Sequence, residues 1–163
     1  MERAQLSLLL PDLDATLALG RRLAASLAPG SVVLLEGDLG AGKSELARAV
    51  IRSLAGAAIA VPSPTFTLIQ TYELPRLEVS HSDLYRLRDA GEVGELGLEE
   101  CWQRGAVLVE WPGRAPWLWP AERLVIGLEP LPERGQDARR ALLDGTGRWA
   151  ALVPGLAAAA DPG

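Results

Sequence analysis

The chain has 163 residues, 48% of them hydrophobic, which is enough for one domain with a core of its own. Its formal net charge of -5 excludes the broad basic face of a general nucleic-acid binder, though not a local basic patch. A single cysteine, Cys101, excludes an internal disulfide, and no apolar run approaches the roughly 20 residues of a bilayer span or follows a basic segment as in a signal peptide. The expectation is a cytoplasmic protein that touches neither membrane nor DNA.

In chain order, residues 5–10 predict a short strand. Asp12 is placed to cap a helix whose core-facing stripe reads Leu13, Leu17, Gly20, Ala24, Leu27, closed by Pro29 and Gly30. Residues 32–35 are apolar without alternation, as in a strand buried on both faces of a parallel sheet. Glycines 37, 40 and 42 then make a loop, and residues 43–54 have the composition of a second helix with Gly56 near its end. Residues 61–67 are too proline-rich for a helix and predict an exposed loop leading into a strand over 67–72.

Leu77, Val79 and His81 alternate with polar residues in a strand ending near Asp83, and a helical stretch is expected from residue 90 to about 104. Residues 106–109 are a second central strand, stopping at Glu110. Further strands over 124–128, 138–143 and 149–153 are expected to extend the sheet as antiparallel edges. The reading is an α/β fold: a single P-loop NTPase domain over 1–155, three layers around a mostly parallel central sheet, with a disordered tail over 156–163.

GDLGAGKS at residues 37–44 fits the GxxxxGK[ST] pattern in full, between a buried strand and a helix. Glycines allow successive backbone N–H groups to converge on phosphate oxygens, and the helix N-terminus adds its positive dipole end. Asp38, Leu39, Gly40, Ala41, Gly42, Lys43, Ser44 and Glu45 are therefore candidate contacts to ATP, with Lys43 on the outer phosphates and Ser44 on Mg²⁺. Lys43 is the only lysine; every other basic side chain is arginine, so a compact, flexible ammonium stands where a planar guanidinium fits poorly.

Glu110, at the carboxyl end of a central strand, is a candidate metal ligand. Asp83, at another strand end, could serve the metal or the attacking water. Thr65 lies in the proline-stiffened loop as a candidate switch residue reaching the metal. Trp111, next to Glu110, is placed near the nucleotide, whereas the other tryptophans, His81 and Cys101 read as packing residues.

Taken together, GDLGAGK at 37–43, SPTFTL at 63–68, HSDLYRL at 81–87, ELG at 95–97 and VEWP at 109–112 resemble the bacterial ATPase component of tRNA threonylcarbamoyladenosine synthesis, the TsaE (formerly YjeE) family. The likeness covers residues 10 to about 145. It implies a partner-dependent ATPase that works with the TsaB and TsaD proteins on the adenosine beside the anticodon of tRNAs reading codons that begin with A. It also implies that ATP turnover resets that complex and that tRNA is met only through it. Carried over by motif, Lys43 and Ser44 serve phosphate and magnesium, Thr65 is the switch residue, Asp83 supports hydrolysis, Glu110 holds magnesium and Trp111 lies by the nucleotide. Ser44 stands where the family more usually has threonine, and Ser82 where it has an aromatic. Two other readings of the loop remain: a nucleotide-gated binding module without turnover, and a small-molecule kinase with Arg114 as its lid arginine.

Overall fold

The computed structural model describes residues 1–64 and 66–158. Seven strands form one sheet in the order β1-β7-β6-β2-β5-β4-β3. In chain order these are β1 (Arg3–Leu10), β2 (Val32–Glu36), β3 (Ile69–Glu73), β4 (Glu78–Asp83), β5 (Ala106–Glu110), β6 (Leu124–Pro130) and β7 (Arg139–Thr146). The centre is parallel, with β2 between β5 and β6, and β4 beyond β5. At one edge β3 is antiparallel to β4; at the other, β7 and β1 are antiparallel to their neighbours. The sequence placed β6 among the antiparallel edge strands, but it runs parallel to β2, as its fully buried Leu124 and Ile126 require of an inner strand.

The helices are α1 (Leu13–Ser26), α2 (Lys43–Ala55), α3 (Ala90–Glu95), α4 (Leu98–Arg104) and α5 (Arg148–Ala158). They cover both faces of the sheet. Side chains of β2 alternate between two cores: Val33 and Leu35 pack with α1, α2 and α5, while Val32 and Leu34 pack with α3, α4 and the loop after β5. A continuous apolar strand thus feeds two layers.

Asp12 caps α1 by accepting from the Ala15 amide at 2.9 Å, as the sequence predicts. Of the expected stripe of α1, Gly20, Ala24 and Leu27 are buried, but Leu13 is 40% exposed and Leu17 half-buried, and Thr16, Leu19 and Leu23 complete the inward face in their place. The stretch expected as one helix over 90–104 is two, because Gly97 adopts a left-handed conformation (φ 69°) and restarts the chain as the N-cap of α4.

The strand expected over 149–153 is instead the body of α5. Its Trp149, Val153 and Leu156 are buried at helical spacing. They close onto Gly145 of β7, where an added Cβ would lie 2.8 Å from Val153 and 2.9 Å from Trp149. Residues 156–158 complete this helix, and 159–163 lie outside the described residues. Among the described residues no helix is long and apolar enough to cross a membrane.

Candidate functional site: a cradle at the carboxyl edge of the sheet

Parallel pairing brings the ends of three strands into one row. Asp83 of β4 is level with Glu110 of β5, and Glu110 is level with Leu35 of β2, one residue before Glu36 and the glycine-rich loop. Ligands of open α/β sheets collect at such carboxyl edges. A cavity of about 440 Å³ opens there, lined by the loop from Leu39 to Glu45 and by Asp83, Glu110 and Trp111. The residues that the sequence assigned to the site are thereby gathered, with two exceptions. Thr65 lies outside the described residues, and Asp38 reaches the site through its backbone carbonyl, which accepts from Lys43.

The loop shape is dictated by its glycines. Gly37 (φ +143°) runs so close to β6 that a Cβ there would lie 2.5 Å from the Leu128 carbonyl oxygen. Gly42 (φ +102°) is the N-cap of α2 and offers no side chain to cap its first-turn N–H groups, which belong to residues lining the cavity. Arg139, a buried arginine at the start of β7, donates from Nε to the Ala41 carbonyl at 2.7 Å and pins the loop from behind. Nothing in the local pattern singles out Arg139; only the antiparallel turn of β7 onto β6 carries it there.

Lys43 is 5% exposed. Its ammonium donates to the carbonyls of Gly37 and, at 2.9 Å, of Asp38, and it lies 4.2 Å from the ring centroid of Trp111. Burial pushes its pKa below the ordinary lysine value, a shift that the nearby carboxylates of Glu110, Asp83 and Asp38 oppose without cancelling. Trp111 reaches this position because it takes a left-handed backbone (φ 60°), directly after Glu110 and before the short helical turn Pro112–Arg114. The Tyr85 ring packs against it at 4.9 Å.

Glu110, 2% exposed, is held from two sides. Ser44 donates from Oγ to its Oε1 at 2.9 Å, and the His81 imidazole lies with Nε2 2.6 Å from its Oε2. The sequence placed His81 in the core, and it is fully buried, but it is joined to the site: Nε2 meets Glu110 while Nδ1 has no hydrogen-bond partner among the described residues. No sequence signal distinguishes this histidine from a packing residue; only the β4–β5 register reveals the contact, two residues before Asp83. Cys101 packs in the second core as expected. Trp149 is buried, whereas Trp117 is 60% exposed and departs from the packing role expected of it.

The loop before β3 is tied to the same edge. Leu68, in a left-handed conformation (φ 66°), donates to the Pro64 carbonyl at 2.7 Å. Its own carbonyl accepts from the Asp83 amide at 3.1 Å and from Ser82 Oγ at 2.7 Å. Ser82 therefore anchors the loop. Phe66 is 85% exposed with the Arg86 guanidinium 4.9 Å from its ring centroid, and Arg86 and Ser63 reach the cavity. Arg114 lies 5.7 Å from the Tyr85 ring centroid.

The donor chemistry suits a hard divalent cation held partly by phosphate and water. A hydroxyl and two carboxylates, on Ser44, Glu110 and Asp83, line one cavity, and among the described residues no three His, Cys, Asp or Glu side chains form a metal cage. Mg²⁺ keeps several waters and takes few protein ligands, so the set fits.

Residues 10–140 match the family model described as threonylcarbamoyl adenosine biosynthesis protein TsaE. A tRNA threonylcarbamoyladenosine biosynthesis protein TsaE from Rickettsia bellii is 40% identical over 113 residues, covering 69% of this chain and 78% of that protein. One from Bacillus subtilis is 39% identical over 127 residues, 77% of each. Among solved structures, the crystal structure of Bacillus subtilis YdiB superposes with a TM-score of 0.79 at 31% identity over 98% of both chains.

Proposed function

This chain belongs to the TsaE family of tRNA threonylcarbamoyladenosine biosynthesis, and from that premise we propose that it is a Mg²⁺-dependent ATPase of the pathway. The observation that carries the reading is the convergence of Lys43, Ser44 and Glu110 on one cavity beside the uncapped N-terminus of α2. Backbone N–H groups of Gly40, Gly42, Lys43 and Ser44 bind phosphate oxygens, the Ala41 amide being held by the Asp38 carbonyl at 3.0 Å, and Lys43 trades its two loop carbonyls for the outer phosphates, where its charge is better used. The Trp111 ring beside Lys43 shields that ammonium from water.

Ser44 and Glu110 would hold the metal, and Thr65, which lies outside the described residues, would be the switch residue that joins them. Mg²⁺, when bound, neutralises charge that develops on the phosphate oxygens. His81 keeps the Glu110 carboxylate aimed at its ligand. Asp83 orients the attacking water, whose oxygen bonds to the terminal phosphorus as the bond to the bridging oxygen breaks; the water's proton leaves with the phosphate product or solvent. The pathway partners are the TsaB and TsaD proteins, tRNA is met through that assembly, and turnover resets it.

Phosphate release measured for the protein alone, and then with each partner added, tests this. The proposal expects slow release that partners accelerate and that Lys43→Ala and Asp83→Ala abolish. ATP-dependent partner binding with no phosphate released, unchanged by Asp83→Ala, would replace it with the nucleotide-gated module. A phosphorylated small molecule in place of free phosphate would instead indicate a kinase.

A further inference from the structure

Helices α1 and α2 pack closely where Gly20 meets Ala49: a Cβ added to Gly20 would lie 2.6 Å from the Cβ of Ala49. Beside that contact they leave an open groove of about 580 Å³. Leu13, Leu17 and Arg21, spaced one turn apart along a single face, form the α1 wall; Arg48, Ala49 and Arg52 form the α2 wall. The two leucines are those that the helical pattern would send to the core. The fold buries Leu19 and Leu23 instead and leaves Leu13 and Leu17 lining a solvent-facing channel.

The rim is basic in a chain whose net charge is -5. Arg52 donates from Nε to the Ile59 carbonyl at 3.1 Å, but neither Arg21 nor Arg48 makes a hydrogen bond or ion pair among the described residues. Three guanidinium groups, on Arg21, Arg48 and Arg52, against the single carboxylate of Glu45 leave the groove net basic, and with its leucine floor it complements an acidic segment with apolar anchors. A nucleic-acid backbone would use the arginines and gain nothing from Leu13 and Leu17. The groove also adjoins the cradle, since Glu45 and Arg48 line both.

We propose that the α1–α2 groove is the docking site for an acidic, apolar-anchored segment of a partner protein. This rests on the reading above that the chain works with protein partners.

The test is the affinity of the full chain for a purified TsaB–TsaD pair, compared among wild type, Arg21→Glu and Leu17→Asp, with Mg·ATP binding and thermal melting measured on each. Arg21 and Leu17 lie outside the cradle, so both variants should keep wild-type Mg·ATP affinity while partner binding weakens at least tenfold. Wild-type partner binding should also weaken as salt is raised. Arg21 is exposed, so its variant remains informative if Leu17→Asp melts early. Partner affinity unchanged in Arg21→Glu overturns the groove and leaves the partner reading intact. Loss of direct tRNA binding in the variants, or loss of a wild-type dimer, overturns it in favour of nucleic acid or a second copy. A wild type that binds Mg·ATP but not the pair refutes the partner reading and this inference together.

Discussion

The imidazole of His81 sits with Nε2 2.6 Å from Oε2 of Glu110, both side chains buried, while the other carboxylate oxygen accepts from Ser44. A buried carboxylate that loses one of two partners keeps its desolvation cost without the compensating bond. His81→Leu should therefore lower stability by about 3 kcal/mol in urea denaturation. His81→Gln, which keeps an N–H donor, should recover part of that loss and more of the turnover. Equal behaviour of the two variants would show that the contact does not hold Glu110.

The loop offers a paired test of backbone constraint. Gly40 (φ +79°) and Gly42 (φ +102°) both occupy the left-handed region, but among the described residues a Cβ at Gly40 meets nothing within 4 Å, whereas one at Gly42 comes 2.9 Å from Arg139 Nε. Backbone strain alone is worth about 1–3 kcal/mol. Gly42→Ala adds displacement of the arginine that holds the Ala41 carbonyl. Thermal melts should rank Gly42→Ala below Gly40→Ala, and Arg139→Leu should match the former in weakened ATP binding.

Much of this was legible because the chemistry is local. The glycine spacing, Lys43 and Ser44 sit within eight consecutive residues, and the ends of an apolar strand at Glu110 and of an alternating one at Asp83 mark one sheet edge. What was missed depends on pairing between distant segments. His81 joins Glu110 through strand register, and Arg139 arrives on an antiparallel return. The sequence reading of α1 holds for Gly20, Ala24 and Leu27 and misses at Leu13 and Leu17, because apolar residues nearly encircle the helix and periodicity alone does not select which of them are buried. Trp149 to Val153 is a short apolar run that fits a strand or a helix equally, and its closure onto Gly145 decides for the helix.

Lys43 gives a pH dependence of defined sign. Its folded-state pKa is lowered from the ordinary 10.5, chiefly by burial. Below the folded value the charged amine costs stability; as pH rises from there toward 10.5 the native state sheds its proton before the unfolded chain does, and that cost fades. Wild type should therefore gain stability relative to Lys43→Met over that alkaline interval. ATP affinity should move the other way, falling once pH exceeds the lysine pKa of the free protein, because binding must then restore the proton. An affinity that stays flat until 10.5 would show that the amine is not desolvated.

The measurement that bears most directly on the central claim is calorimetric titration of Mg·ATP into the wild-type protein and into Lys43→Ala at neutral pH. A single site is expected in the wild type, weakened roughly 10- to 100-fold in the variant, as befits one charge-assisted contact worth about 1.5–3 kcal/mol. No heat of association in the wild type, or the same affinity in both, would contradict a phosphate cradle built around this lysine.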